Sequence, residues 1–296
     1  MWRVVLESNL LPLAAVDDHA VRQPSRAEGP TSDPLQTVAS VAGVIVEYES
    51  IDRVGFIRMN RPDARNAINS EMAEAIETAV DQLEQDDQAW VGLLCSNGPA
   101  FCAGADLKAI ASGSANLTTT KGGFAGLVDR ERSKPLIAVV DGPAVAGGTE
   151  IVLACDLVVA STAAHFGIPE VKRSLIAAAG GLFRLPYFLP PTVAMELALT
   201  GRDLSAEDAH RYGMVNRLTE PGRALEVALD LAAEINANAP LAVRSSRRSI
   251  LATRFLSDKE ANTVVTSESQ AVWRSEDFLE GPRAFIEKRN PVWKGR

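Results

Sequence analysis

The sequence predicts an α/β protein with a helical C-terminal region, and three observations lead to this prediction. Short apolar, β-rich runs alternate with amphipathic runs through the middle of the chain, which is typical of an α/β core. After about residue 190 nearly every run has helical spacing. The 296 residues, of which 46% are hydrophobic and 23% charged, suit a globular chain that buries a sizeable core.

The first 40 residues are expected to form a poorly ordered extension. Residues 22–35 are rich in proline, serine and charge, a composition that buries little apolar surface. The leucine-rich patch before them is interrupted by polar residues and followed by Asp17 and Asp18, unlike a secretory signal or a transit peptide. A targeting or docking peptide is the alternative. We therefore expect three parts: an extension (1–40), an α/β core (41–190) and a helical region (191–296).

The core is predicted to begin with a β-hairpin. Residues 44–50 and 53–59 are β-rich and are separated by a short turn at Ile51-Asp52. After a loop, apolar residues recur at helical spacing from Ser70 onward. The next predicted elements are a strand at 91–96, a helix beginning at 107, a mobile polar loop at 112–133, a strand at 136–140, a helix at 147–156 and a strand at 157–161. In the helical region, Ser205 with Asp208 predicts a capping box.

Charge and residue usage exclude several classes of protein. The net charge of −8 argues against a nucleic-acid surface, and no apolar run is long enough to span a bilayer. The spacing of the histidines and cysteines predicts no metal site, and the cysteines suit buried reduced thiols in a cytoplasmic protein. The cysteines are Cys95, Cys102 and Cys155, and the histidines are His19, His165 and His210.

Two junctions between an apolar run and a helix share an unusual composition. The stretches "FCAGADLK" (101–108) and "AVAGGTEI" (144–151) each contain a short run of alanine and glycine that leads into a predicted helix. Helix N-termini carry unpaired N–H donors and partial positive charge, and small residues let a ligand approach the backbone closely. Two such N–H groups that converge on one oxygen would form an oxyanion hole. The alternative is that Gly147 and Gly148 only allow tight packing of a strand against a helix.

Two glutamates are candidates for acid–base chemistry. Glu150 comes just after the double glycine and is followed by the apolar run 151–153, so that a cleft or a paired environment is expected for its carboxyl group. Glu170 follows Pro169, one predicted strand further along the chain. The alternative is two solvated surface glutamates, the usual situation for this residue type.

These stretches, taken together, resemble the crotonase superfamily, that is, the enoyl-CoA hydratase/isomerase family, over about residues 44–296. The similar segments, in the order expected for the family, are "NRPDARNAIN" (60–69), "FCAGADL" (101–107), "GPAVAGGTEIVLACDLVVAS" (142–161), "AHFGIPEV" (164–171), "MELALTGRDLSAEDAHRYGMVNRL" (195–218) and "AFIEKR" (284–289). The resemblance implies a spiral of ββα units, a C-terminal helical trimerisation region, and assembly as a homotrimer or hexamer.

The resemblance also implies roles for individual residues. The N–H groups of Ala105 and Gly147 would hold the thioester oxygen, Glu150 would activate water, and Glu170 would deliver a proton to Cα. Contacts with CoA are implied at Ala64, Arg65, Ala67, Ala103, Asp106 and Leu107. The family needs no metal and no separate cofactor, because the CoA thioester is the substrate. Ala177 and Ala178 stand where family hydratases often have proline and glycine, and their methyl groups would reshape the water pocket.

The function implied by the resemblance is hydration of a 2-enoyl-CoA in fatty acid or related acyl-CoA metabolism. An enoyl-CoA isomerase, with one carboxylate as a proton shuttle, is the enzymatic alternative. A catalytically silent acyl-CoA-binding protein is the alternative from another class. The presence of both glutamates favours the hydratase.

Overall fold

The structure, a computed structural model, describes residues 43–113 and 116–296, and the predicted extension (1–40) lies outside these residues. The strands are β1 (Val46–Ile51), β2 (Val54–Met59), β3 (Val91–Ser96), β4 (Thr118–Thr119), β5 (Gly123–Phe124), β6 (Leu136–Val140), β7 (Ala144–Val145), β8 (Leu157–Ser161), β9 (His165–Gly167), β10 (Leu204–Ser205) and β11 (Arg217–Thr219). The α-helices are α1 (Ser70–Gln85), α2 (Leu107–Ala111), α3 (Gly147–Ala154), α4 (Gly181–Phe188), α5 (Pro191–Thr200), α6 (Ala206–Arg211), α7 (Ala224–Asn236), α8 (Pro240–Thr253), α9 (Asp258–Trp273) and α10 (Glu276–Glu287). Two short 3₁₀-helices span Pro62–Ala64 and Pro169–Arg173.

A six-stranded sheet in the order β1-β2-β3-β6-β8-β11 forms the centre of the described part. The β1–β2 pair is antiparallel and the other neighbours are parallel. Successive side chains point to opposite faces of a sheet. Ile57 and Leu94 therefore lie in the core beneath α1, whereas Phe56 and Leu93 lie in the core beneath α7. Helices cover both faces, which explains why the central strands are apolar runs without alternation.

The N-terminal hairpin is confirmed, with its turn one residue later than predicted. Asp52 and Arg53 form the turn, and both have positive φ angles, 50° and 67°. A two-residue hairpin loop with positive φ at both positions matches the twist of the flanking strands. The Arg53 guanidinium lies 3.9 Å from the centre of the Trp90 ring, next to the start of β3.

A small three-stranded sheet, in the order β10-β9-β7, positions α3. Ala146 is the single residue between β7 and α3, and β7 runs parallel to β9. The Ala146 N–H donates to the Gly167 carbonyl at 2.8 Å. The Thr149 hydroxyl oxygen lies 2.6 and 2.8 Å from the Ala144 and Gly167 carbonyl oxygens and can donate to one of them at a time. These bonds fix the start of α3 against the end of β9.

Residues 116–133 differ from the mobile loop that their composition predicts. They form the β4–β5 hairpin and pack along α1, where Ala125, Leu127 and Val128 are buried. The Lys121 ammonium and the Arg130 guanidinium both pair with Asp81 of α1. Polar residues that pair with one helix thus hold a segment that carries little apolar periodicity.

The C-terminal region is helical as predicted, except for β10 and β11. Strand β10 pairs with β9, and β11 adds to the edge of the central sheet beside β8. Two- and three-residue strands carry no readable periodicity, so that the sequence did not indicate them. The Ser205 side chain accepts from the Asp208 N–H at 3.1 Å and caps α6. No helix among the described residues is long and apolar enough to cross a membrane.

Candidate active site

A cavity of about 320 Å³ lies where the two predicted junctions meet. Its walls come from the 103–107 loop and α2, from the start of α3, from the 3₁₀-helix at 169–173, and from residues 175–179. Glu150, Glu170, Ala105 and Gly147 all line it. The structure therefore brings together both glutamates and both backbone positions that the sequence singles out.

The two junctions pack directly against each other. The Val145 N–H donates to the Cys102 carbonyl at 3.0 Å. A methyl group built on Gly104, which has a φ of +85°, would lie 2.9 Å from the Gly147 nitrogen. Neither the Ala105 N–H nor the Gly147 N–H has a hydrogen-bond acceptor in the part of the chain that the structure describes. Two unpaired donors beside one cavity can stabilise an oxygen on which negative charge develops.

The two glycines of the double glycine have different neighbours. A Cβ on Gly148 would lie 2.1 Å from the Cys102 carbonyl oxygen, so that this glycine allows tight packing of the two junctions. A Cβ on Gly147 would lie 2.5 Å from the Phe124 ring at the cavity wall. The packing interpretation thus holds for Gly148, whereas Gly147 borders the candidate site.

Ala146, immediately before α3, has a strained backbone with φ 52° and ψ −126°. A residue with a Cβ rarely adopts this conformation, which costs on the order of 1–3 kcal/mol and persists only where the surroundings enforce it. The bond from the Ala146 N–H to Gly167 enforces it here. Strain of this kind clusters at functional sites, which supports a functional role for the β7–α3 turn.

Glu150 lies on the first turn of α3, and only 3% of its surface is exposed. One carboxyl oxygen accepts the Gly181 N–H at 2.9 Å. Burial raises the pKa of Glu150 to about 7; the Gly181 hydrogen bond opposes this rise and the charge of Glu170 adds to it. Glu150 is therefore not a solvated surface glutamate, and it can exchange a proton near neutral pH.

Glu170 lies on the 3₁₀-helix that begins at Pro169, and its side chain is half-buried. Burial raises its pKa, and the bond from its own backbone N–H and the charge of Arg173 oppose that rise. Its Oε2 atom is buried and has no hydrogen-bond partner among the described residues. A buried carboxyl oxygen is costly without a partner, so that water or a ligand in the cavity would satisfy it.

The residues predicted to contact CoA fall into two groups. Ala103 and Leu107 line the cavity, whereas Ala64, Arg65, Ala67 and Asp106 do not. The Asp106 carboxylate caps α2 through the Lys108 and Ala109 N–H groups and pairs with Arg61 at 2.8 Å. These bonds give Asp106 a structural task, and all six CoA contacts remain predictions.

Three features of the site were missed by the sequence reasoning. Phe124 comes from the segment predicted to be a mobile loop. Arg173 lines the cavity three residues after Glu170. Arg184 donates to the Val128 carbonyl at 2.8 Å and the Ala179 carbonyl at 3.2 Å, and so ties the 116–133 segment to the turn that holds Glu150. No motif signals Phe124 or Arg184, and Arg173 lies two residues beyond the quoted stretch around Glu170 (164–171).

Metal ligands are not clustered in the part of the chain that the structure describes. No three His, Cys, Asp or Glu side chains of residues 43–113 and 116–296 lie together as a metal site would require. The geometry of the cavity instead offers two carboxyl groups and two backbone donors.

Known proteins are similar to this chain in both sequence and fold. The family model for enoyl-CoA hydratase/isomerase matches residues 49–296. Enoyl-CoA hydratase EchA19 of Mycobacterium tuberculosis is 40% identical over 268 residues, covering 88% of this chain and 100% of the relative. Carnitinyl-CoA dehydratase of Salmonella typhimurium is 40% identical over 247 residues, covering 81% and 94%. The crystal structure of an enoyl-CoA hydratase from M. tuberculosis H37Rv superposes with a TM-score of 0.82 at 47% identity, covering 85% of this chain and 99% of that one.

These matches confirm the resemblance and the fold that the sequence predicts. The chain belongs to the enoyl-CoA hydratase/isomerase family of the crotonase superfamily, a family of enzymes that act on acyl-CoA thioesters, and it has the crotonase fold.

Proposed function

We propose that the protein is an enoyl-CoA hydratase, which adds water across the α,β-double bond of an enoyl-CoA thioester. One observation carries this proposal: two glutamates with raised pKa values line one cavity together with two backbone N–H donors that have no acceptor among the described residues. The names of the relatives, a hydratase and a dehydratase, support the same reaction class. Fatty acid or related acyl-CoA metabolism is the proposed setting.

In the proposed reaction the backbone donors stabilise the developing charge. The thioester oxygen accepts hydrogen bonds from the Ala105 and Gly147 N–H groups. Attack of water on the β-carbon breaks the double bond and moves an electron pair toward the thioester, which gives an enolate. The loss of one such donor in other enzymes lowers the rate about a hundred- to a thousandfold, so that this contribution is large.

Protons move between water, the glutamates and the substrate. Glu150 accepts a proton from the attacking water, and Glu170 donates a proton to the α-carbon. The net change is one water molecule added, and the pair is left with the proton on the opposite carboxyl group. Because neighbouring carboxylates resist ionising together, the two share one proton over the pH range around neutrality.

The location of that shared proton sets a condition on these roles. Burial holds the pKa of Glu150 at about 7, so that the unliganded site has a proton available on Glu150. The proposed roles require that the proton resides on Glu170 when substrate is bound. A pH–rate profile reports the apparent pKa values of the pair as a whole, and it does not assign either proton.

Replacement of each glutamate by glutamine tests the proposal. With crotonyl-CoA and longer enoyl-CoA esters, Glu150→Gln and Glu170→Gln should each lower kcat by roughly a hundredfold or more, because each residue transfers a proton. The double variant should lose far less than the product of the two losses, since residues that act as a unit are not additive. The loss of the conjugated double bond, followed by ultraviolet absorbance, measures hydration. Glu196→Gln, an exposed glutamate paired with Arg202, is the matched control.

The same variants separate the alternatives. In an isomerase, Glu170→Gln alone would be severe, and the wild type would move a double bond faster than it adds water. In a silent binder, acyl-CoA would bind and no substitution would change turnover. Wild-type hydration that neither substitution reduces would overturn the two-glutamate assignment.

A further inference from the structure

Arg173 is the only cationic side chain in the cavity wall among the described residues. The other wall residues are small or apolar, apart from Glu150 and Glu170. The Arg173 side chain makes no hydrogen bond or ion pair with any residue in 43–113 or 116–296. Many other arginines of the described part hold a carboxylate, as Arg61 holds Asp106 and Arg202 holds Glu196. A guanidinium with five donors is thus open to a ligand in the cavity.

The position of Arg173 places its side chain nearer the acyl chain of a bound substrate than the nucleotide. It lies three residues after Glu170 on the same 3₁₀-helix, and its charge is close enough to lower the pKa of that carboxyl. The predicted CoA contacts lie on other segments, at 64–67 and 103–107. A group that neighbours the glutamate proposed to act at the α-carbon faces the acyl chain more readily than the nucleotide.

The charges in the cavity allow Arg173 to discriminate between acyl chains of different charge. Two carboxyl groups disfavour an anionic acyl chain unless a cation offsets them. A guanidinium supplies that offset and binds a carboxylate through two parallel hydrogen bonds. The same guanidinium repels a quaternary ammonium group, which cannot donate or accept a hydrogen bond.

We infer that Arg173 selects the acyl group by charge: it binds a carboxylate carried on the acyl chain and disfavours a trimethylammonium group at the same place. This inference rests on the proposed function only in that the site binds acyl-CoA. The trimethylammonium group is part of the carnitinyl moiety named for one relative, and the inference predicts that this chain disfavours that group.

Three saturated acyl-CoA esters of similar chain length form the test: 4-carboxybutanoyl-CoA, butanoyl-CoA and 4-trimethylammoniobutanoyl-CoA. Isothermal titration calorimetry measures the Kd of each ester and of free CoA for the wild type and for two variants. Arg173→Leu removes the charge. Lys172→Leu removes one positive charge from the same 3₁₀-helix without touching the cavity wall, because Lys172 lies against Gly201 instead.

Arg173→Leu should raise the Kd of the carboxylated ester at least about tenfold relative to the Kd of butanoyl-CoA, as expected for the loss of a hydrogen bond between charged groups. In the same variant the trimethylammonium ester should bind more tightly relative to butanoyl-CoA. Lys172→Leu should leave the Kd of each charged ester relative to butanoyl-CoA unchanged. Unchanged ratios in Arg173→Leu would overturn the inference. Equal weakening of all three esters and of free CoA would also overturn it, because Arg173 would then bind a CoA phosphate. Binding of saturated esters does not depend on turnover, so that a failure of the hydratase proposal is visible separately, as an absence of crotonyl-CoA hydration.

Discussion

Glu150 shows how one residue joins sequence context, burial and chemistry. Its apolar neighbours in the sequence lie on the helix that enters the core, and they carry its carboxyl group inward. Burial then raises its pKa to about 7, while the Gly181 N–H provides a fixed partner. A carboxyl group with this pKa is protonated in the folded protein and ionised in the unfolded chain over the range between the two pKa values.

This difference predicts how stability changes with pH. The folded pKa of Glu150 is above its ordinary value of 4.5, so that its favourable contribution is complete below 4.5 and is lost as pH rises through about 7. Glu150→Gln keeps an acceptor for Gly181 and has no charge to bury. The gain in Tm of the variant over the wild type should therefore be larger by a few degrees at about pH 8 than at about pH 5, since each pKa unit corresponds to about 1.4 kcal/mol.

Calorimetry at the two pH values measures this change. Glu196→Gln should not show the gain, because the Arg202 hydrogen bond lowers the pKa of that exposed carboxyl. An equal Tm difference for Glu150→Gln at both pH values would show that the buried carboxyl does not titrate in this range.

At the residue scale, sequence reasoning found the groups that a family pattern or an unusual neighbour singles out. Glu150 was singled out because a carboxylate that leads into an apolar run needs an explanation, and the structure buries it. Phe124 was missed because its role depends on a contact with Gly147, which is distant in sequence. Arg173 was passed over because an arginine on a short exposed helix has the same sequence appearance whether or not it borders a cavity.

At the scale of elements, the β7–α3 turn is the device that exposes a backbone donor. The strained Ala146 reverses the chain, and Gly147 then begins α3 with its N–H group unpaired among the described residues. Phe124 lies so close that a Cβ at position 147 would meet its ring at 2.5 Å. A test of the Gly147 N–H must therefore separate the loss of the donor from this collision.

A Phe124→Ala background removes the ring and allows that separation. Within it, Gly147→Ala keeps the N–H, whereas Gly147→Pro removes it, and proline is well tolerated at the first position of a helix. The proline variant should have a kcat at least about a hundredfold below that of the alanine variant with crotonyl-CoA. Circular dichroism of both variants checks that α3 is retained. Similar kcat values in two folded variants would remove the Gly147 N–H from the proposed mechanism.

Elements were predictable in proportion to their length and regularity. Helix α1 begins at Ser70 as predicted, and strands β3, β6 and β8 have the bounds that the sequence predicts. The hairpin turn lies one residue later than predicted because Asp52 and Arg53 both adopt positive φ angles, which their residue types do not indicate. Segment 116–133 and the strands β10 and β11 are held by contacts with other elements, and such contacts leave no local periodicity in the sequence.

At the scale of the whole molecule, the C-terminal helices carry several large apolar side chains that are strongly exposed in the single chain. Ile250 on α8, Phe255 just after it, and Leu279, Phe285 and Ile286 on α10 are each more than 70% exposed. Apolar side chains that are exposed in a single chain can be buried when chains assemble. These residues therefore support the expectation, drawn from the family resemblance, that the protein assembles as a homotrimer or hexamer.

Light scattering on the purified protein should therefore give three or six times the chain mass of 31.6 kDa. Phe285→Asp places a charge at the most exposed of these residues and should shift the assembly toward smaller species, because an unpaired charge is costly to bury in an interface. Asn262→Asp adds one negative charge at an exposed position of α9 and should leave the mass unchanged.

A monomeric wild type at micromolar concentration would contradict the prediction, and the exposed apolar residues would then require another partner. An unchanged mass for Phe285→Asp, with a trimeric or hexameric wild type, would place the interface elsewhere on the chain.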